Sequence, residues 1–181
     1  GLQADVRLGI AYHLRWHAGH RRARDLILAG AIGTPRHMRV HWTFQAPDGG
    51  NWRAAPATGK WWAMAANGTH CLDLIRWILM PSSGEIASVS GLFSRSVWNT
   101  THDQTAVVAY RFESGATAEL CSSVLFESPS RIEIYGSEGH VICDGTLGRH
   151  GQGQIFVNGT ELEFEVRNPF LGEIRDFVEA I

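Results

Sequence analysis

The sequence is almost without lysine: Lys60 stands alone among its 16 basic residues, and the rest are arginines. Acidic residues number 18, so the formal net charge is only −2. That balance excludes a protein that grips nucleic acid or an anionic membrane surface through a basic field. Cysteine is scarce too. Cys71, Cys121 and Cys143 are far apart and odd in number, which argues against a disulfide framework or a cysteine-built zinc site and fits a reducing compartment. No apolar run is long enough to span a bilayer; the richest, Cys71 to Met80, is broken by Asp73 and Arg76. Asp5 and Arg7 stand where a signal peptide needs an apolar centre. A soluble, cytoplasmic protein is expected.

Several motifs are also missing. A dinucleotide-binding unit needs a glycine-rich turn between an early strand and a helix. The one glycine-rich stretch, Gly148 to Gly153, lies between strand patterns and opens no helix, so it reads as a hairpin loop. The phosphate loop, the serine nucleophile elbow and the His-Glu-x-x-His zinc motif are absent. Nothing in this chain by itself predicts a bound dinucleotide.

What is present is ample core. The chain has 181 residues, 44% of them hydrophobic, and a chain of this size buries roughly 70% of the surface its unfolded form exposes. One domain is expected. Leu8 to Tyr12 reads as a short strand, and His13 to Ala29 as a helix ended by Gly30 and Gly33. Met38, Val40, Trp42 and Phe44 alternate with polar residues as in a half-buried strand. A second helix, about Asn67 to Met80, carries the stripe Cys71, Leu74, Ile75, Ile78, Leu79 and should stop at Pro81. From Ile86 onward the period changes to two, with turns at Ser114-Gly115, Gly136 to Gly139 and Asn158-Gly159. Asn168 with Pro169 caps a last helix. This order predicts an α+β fold: a large, mostly antiparallel open sheet with helices packed on one face. Val107, Leu125 and Tyr135 should make the other face apolar enough to pair with a second copy of the chain.

Three constellations could carry chemistry. His70 lies near the start of the second helix with Asp73 three residues on, so the two side chains are neighbours; an imidazole can take or give a proton near neutral pH. An ordinary first-turn histidine is the plainer alternative. His13, His17 and His20 would share one face of the first helix, a spacing compatible with zinc. Arg21, Arg22 and Arg24 disfavour a cation there, and no metal site is expected. Trp52-Arg53 and Trp61-Trp62 could stack on a sugar face and grip hydroxyls, or simply cover the sheet edge.

These pieces, in order, resemble the C-terminal domain of the glucose–fructose oxidoreductase / inositol dehydrogenase (Gfo/Idh/MocA) family. Gly9 to Arg15 is similar to the family's Tyr-Asn-x-Arg segment, and Leu26 to Gly33 to its helix-to-strand turn. Trp52-Arg53 is similar to its Trp-Arg loop, and Gly68 to Asp73 to its Gly-x-His-x-x-Asp helix start. Asp103, Phe112 to Gly115 and Ile132 to Gly139 are similar to its strand-opening Asp, its turn and its late hairpin. The resemblance implies that residues 1–181 form a substrate-binding and oligomerisation domain, with the N-terminal Rossmann domain outside this chain. It implies NAD or NADP bound mainly by that other domain, a sugar or polyol substrate oxidised at a CH–OH group, and a homo-oligomer, at least a dimer, formed through the sheet. It places the proton carrier on His70 and the substrate contacts on Arg15, Trp52, Arg53, Asn67 and Asp73. Lys60 corresponds to no catalytic lysine, and this chain alone is expected to be inactive.

Overall fold

A computed structural model describes residues 6–55, 57 and 59–181. Inward-facing apolar residues alternate along the strands and write out the core: Ala106, Val108, Tyr110 and Phe112 on one, Ala118 and Leu120 on the next, Ile132 and Ile134, then Val141 and Cys143. The strands are β1 (Pro35–Thr43), β2 (Ile86–Ser94), β3 (Thr105–Phe112), β4 (Thr117–Ser123), β5 (Arg131–Gly136), β6 (His140–Asp144), β7 (Gln154–Val157) and β8 (Thr160–Glu161). They form one eight-stranded sheet in the order β2-β3-β4-β1-β5-β6-β7-β8. Every neighbouring pair is antiparallel except β1 with β4. The fold is α+β, as the order of elements predicts.

Two helices cover the core: α1 (Ala18–Leu28) and α2 (Thr69–Ser83). The α2 stripe Cys71, Leu74, Ile75, Ile78 and Leu79 is fully or almost fully buried with the inward residues of β1, β3, β4 and β5. Each such side chain contributes roughly 1.5–3 kcal/mol of burial. At the Asn158-Gly159 turn both residues have positive φ, 52° and 82°, the backbone of a type I′ hairpin joining β7 to β8. Asn168 accepts a hydrogen bond from Phe170 N and starts α3 (Pro169–Glu179) with Pro169 in the first turn. Among the described residues no helix is long and apolar enough to cross a membrane.

Four expectations need correction. Leu8 to Tyr12 is not a strand: the segment pairs with no strand, and Leu8 and Ile10 are exposed. His13 to Ala29 is not one helix. A 3₁₀ turn, His13–Trp16, ends at His17, whose extended backbone (ψ 119°) redirects the chain into α1. Pro81 does not stop α2, which runs on to Ser83 and ends at Gly84, where φ is +73°. A proline lacks the N–H that would satisfy the carbonyl four residues back. Here that carbonyl, Trp77 O, instead accepts from Arg24 Nε at 2.9 Å, and the Arg24 guanidinium lies 4.8 Å from the Trp77 ring centre. Finally, the outer sheet face is less apolar than expected. Val107 and Tyr135 are on it and partly exposed, but its middle is ionic: Arg39 bonds Glu119 at 2.6 Å and Glu133 at 3.3 Å, and Arg131 reaches Glu133 at 2.8 Å.

Arg24→Ala should therefore destabilise the protein by about 1 kcal/mol, the net worth of the part-buried hydrogen bond it loses. Pro81→Ala restores the missing N–H, so the Arg24→Ala loss should shrink in the double variant. Urea unfolding of the four proteins in the cycle measures this; equal losses in both backgrounds would contradict it.

Candidate functional site

The start of α2 is built from outside the helix. The first N–H groups of a helix have no internal partner. Here the Asp103 carboxylate, at the opening of β3, accepts from Trp62 N at 2.5 Å and Met64 N at 2.8 Å. Burial pushes this carboxyl up from its usual range, while the two backbone bonds oppose that shift. A π-helical turn, Met64–Gly68, leads into α2, with Gly68 N bonded to Ala63 O five residues back at 3.1 Å. Gly68 suits the place, because a Cβ would come within 2.8 Å of Met64 Sδ. Such turns inside helices are frequent at functional sites. This one carries half-buried Asn67 and places His70 in the first turn of α2.

His70 sits in a box of rings. Tyr12 and His13 meet it edge-on, with centroids 5.7 and 5.2 Å away, and Trp42 lies tilted at 5.9 Å. Its Nδ1 is buried without a hydrogen-bond partner, whereas Nε2 is not closed off in this way. Burial above all, helped by His13 and opposed by Asp73, pushes the imidazole below its ordinary pKa. Such a histidine is neutral at pH 7 and able to accept a proton.

Arg15 and Asp73 join each other beside it. Arg15 Nε and Nη2 bond the two carboxylate oxygens at 2.8 and 2.5 Å, a bidentate pair that raises the guanidinium pKa further. Tyr12 Oη meets Thr69 Oγ1 at 3.0 Å. Thus residues 12–15 are fastened to the start of α2 at two points. Tyr12 and Arg15 also line a groove of about 570 Å³ whose other walls include Leu8, Ile10, Ile174 and Phe177. The sequence pointed to Arg15, His70 and Asp73, which the fold brings together. It gave no sign of Tyr12 or Trp42 beside His70; Tyr12 bonds a residue 57 positions away, and only the identity of a lone aromatic could have hinted at it. Trp52 and Arg53 are not among the His70 contacts. They form a 3₁₀ turn, Trp52–Ala54, in the loop after β1, with Arg53 stacked 4.3 Å over Trp52. Trp62 is no sugar platform: it is fully buried and stacked on Trp98.

The three early histidines do converge, by a different route from the single helix face expected of them. His13 Nε2 meets Gly148 O at 3.1 Å, His17 Nε2 meets Gln152 O at 3.1 Å, and His20 Nε2 meets Thr146 Oγ1 at 2.8 Å. A carbonyl can only accept, so His13 and His17 carry a proton on Nε2. His17 Nδ1 accepts from His20 N, and His20 Nδ1 donates to Leu14 O. These rings latch the chain corner to the β6–β7 connection. Among the described residues no group of three or more His, Cys, Asp or Glu could hold a metal ion. The Gly148–Gly153 loop spends its Gly148 and Gln152 carbonyls on this latch.

Residues 20–142 match the family described as the GFO/IDH/MocA C-terminal domain. The 1,5-anhydro-D-fructose reductase of Ensifer adhaerens is 26% identical over 166 residues, covering 91% of this chain and 49% of that protein. The myo-inositol 2-dehydrogenase of Thermotoga maritima is 27% identical over 145 residues, covering 78% of this chain and 42% of its own length. This chain therefore spans about half the length of these relatives. Among solved structures, the aldose–aldose oxidoreductase of Caulobacter crescentus complexed with glycerol superposes with a TM-score of 0.83 at 22% identity, over 98% of this chain and 54% of that one. The WlbA dehydrogenase of Bordetella pertussis, in complex with NADH and UDP-GlcNAcA, gives 0.70 at 21%, over 96% and 49%. Both share the fold.

The latch has a pH signature. Burial, then the neighbouring His17, depresses the His20 pKa from 6.5 to about 3, and burial lowers His13 and His17 as well. Below about pH 6.5 the unfolded chain binds protons that the folded one refuses, so stability is full above that pH and is lost as pH falls toward 3. Urea unfolding between about pH 6.5 and 5 should show a slope of up to ~1.4 kcal/mol per pH unit for each such histidine. His20→Gln should flatten the slope whatever its absolute stability; an unchanged slope would contradict the assignment.

Proposed function

The chain belongs to the GFO/IDH/MocA family, and on that premise we propose that it is the substrate-binding and oligomerisation domain of an NAD(P)-dependent oxidoreductase acting on a CH–OH group of a sugar or polyol. The observation that carries this reading is His70: a neutral imidazole with Nδ1 buried and Nε2 left open, boxed by aromatic rings at the start of α2. The relatives named above as a reductase of 1,5-anhydro-D-fructose and a dehydrogenase of myo-inositol supply the substrate class.

NAD or NADP would supply the hydride exchange. It would be held mainly by a Rossmann domain outside residues 1–181, since the sequence of this chain has no glycine-rich turn between an early strand and a helix. Exposed Leu8 and Ile10, together with Ile174 and Phe177 on α3, set apolar side chains among Arg7, Glu173 and Asp176 along the groove, and this is where that domain would seat. This chain's own part is to bind and to move a proton. In the oxidative direction His70 Nε2 accepts the substrate hydroxyl proton. Asp73 fixes Arg15 through two of its nitrogens; Nη1, which has no hydrogen bond among the described residues, remains for a substrate oxygen. Asn67 would hold a second hydroxyl, and Trp52 with Arg53 would reach the substrate from the loop after β1. The ionic outer face, with opposite charges interleaved on β1, β4 and β5, is the self-complementary surface through which two copies pair.

The test is turnover by the intact protein, with NADH or NADPH against 1,5-anhydro-D-fructose and NAD or NADP against myo-inositol. His70→Ala should lower turnover by about 10²–10⁴-fold, and residues 1–181 alone should show none. Unchanged turnover in His70→Ala would remove His70 from the reaction.

A further inference from the structure

The ring that touches His70 most closely is itself held from two distant places. His13 stacks on Phe170, in the first turn of α3, with centroids 4.4 Å apart and planes 12° from parallel. Its Nε2–H is committed to Gly148 O in the β6–β7 connection. Thus fixed, and only 5% exposed, it presents itself to His70 at 5.2 Å and 75°. The remaining walls of the His70 box, Tyr12 and Trp42, are more distant and give its imidazole no hydrogen bond. An imidazole with no hydrogen bond on its buried nitrogen is oriented by packing alone. We propose that His13 is a positioning residue for His70: clamped between Phe170 and Gly148 O, it sets the direction in which the His70 ring faces, so α3 and the β6–β7 connection both act on the candidate proton carrier.

The electrostatics support the same role. Among the groups facing this pair, Asp73 favours a charged His70, and its own charge is already engaged by Arg15. Arg149, beside Gly148, disfavours charge on His13, and His17 and His20 lie behind it in the latch. A proton on His13 disfavours one on His70, so the pair resists double protonation and His70 stays unprotonated, free to accept a proton. The catalytic part of this inference rests on the reading of His70 given above; the coupling between the rings does not.

Two variants of the intact protein test it. His13→Phe keeps the stack on Phe170 but removes the bond to Gly148 O and the charge. Phe170→Leu leaves both histidines and removes the stack, and it carries the test should His13→Phe fail to fold. NMR titration of the His70 ring should move upward in His13→Phe, because the opposing charge of His13 is gone, and the acidic limb of the pH–rate profile should move with it. In either variant kcat should fall roughly tenfold with KM little changed, the mark of lost orientation rather than lost binding. His70 signals, pH limb and kcat all unchanged in both variants would overturn the proposal. Failure of the functional reading looks different: His70→Ala would keep its turnover, while His13→Phe in the protein that retains His70 would still move the His70 titration.

Discussion

The site depends on one buried carboxylate. Asp103 receives Trp62 N and Met64 N, its own N–H donates to Lys60 O, and its carbonyl accepts from Ala63 N. Ser122 of β4 adds a hydroxyl bond to Ala63 O. The entrance to α2 is thus fixed to the ends of β3 and β4 rather than left to fray. Each of those N–H groups would cost about 1–3 kcal/mol if buried without a partner. The π-turn follows from this anchorage, and the placement of Asn67 and His70 follows from the π-turn. A histidine in the first turn of a freely ending helix would have no fixed direction.

Around that anchor the protein arranges charge with economy. Beside His70 the charges of Arg15 and Asp73 neutralise each other. The histidines nearby are held neutral by burial. The site is therefore a low-charge, aromatic environment in which moving one proton has a large electrostatic effect. The two outer surfaces divide the remaining chemistry. The rim around Leu8, Ile10 and α3 mixes exposed apolar side chains with Arg7, Glu173 and Asp176, whereas the outer sheet face is a lattice of arginine and glutamate. They suit two different neighbours.

Local pattern made much of this legible in the sequence. Alternation in β3 to β6, the α2 stripe, the Asn158-Gly159 hairpin and the Asn168 cap all follow from period and turn chemistry, and the structure agrees with them. Local pattern failed where a distant group intervened. Pro81 should end a helix, but Arg24, 53 residues earlier than Trp77, satisfies the carbonyl that the proline frees. An apolar run at Leu8 to Tyr12 looks like a strand, but it has no strand beside it to pair with. Nothing in the spacing of His13, His17 and His20 announces the break at His17 or the carbonyls of the β6–β7 connection. The residues gathered at the start of α2 were visible by type, His70, Arg15 and Asp73 among them. The tie between Arg15 and Asp73, and the hold of Asp103 on α2, are long-range contacts that no local rule encodes.

The central claim is that the start of α2 presents a proton acceptor to the substrate. The most direct measurement is a crystal structure of the intact protein with NADH and a bound polyol such as myo-inositol. A polyol hydroxyl should lie within hydrogen-bonding distance of His70 Nε2, with Arg15 still locked to Asp73. A polyol and nicotinamide seated away from His70, or a His70 ring turned so that Nε2 is buried, would contradict it.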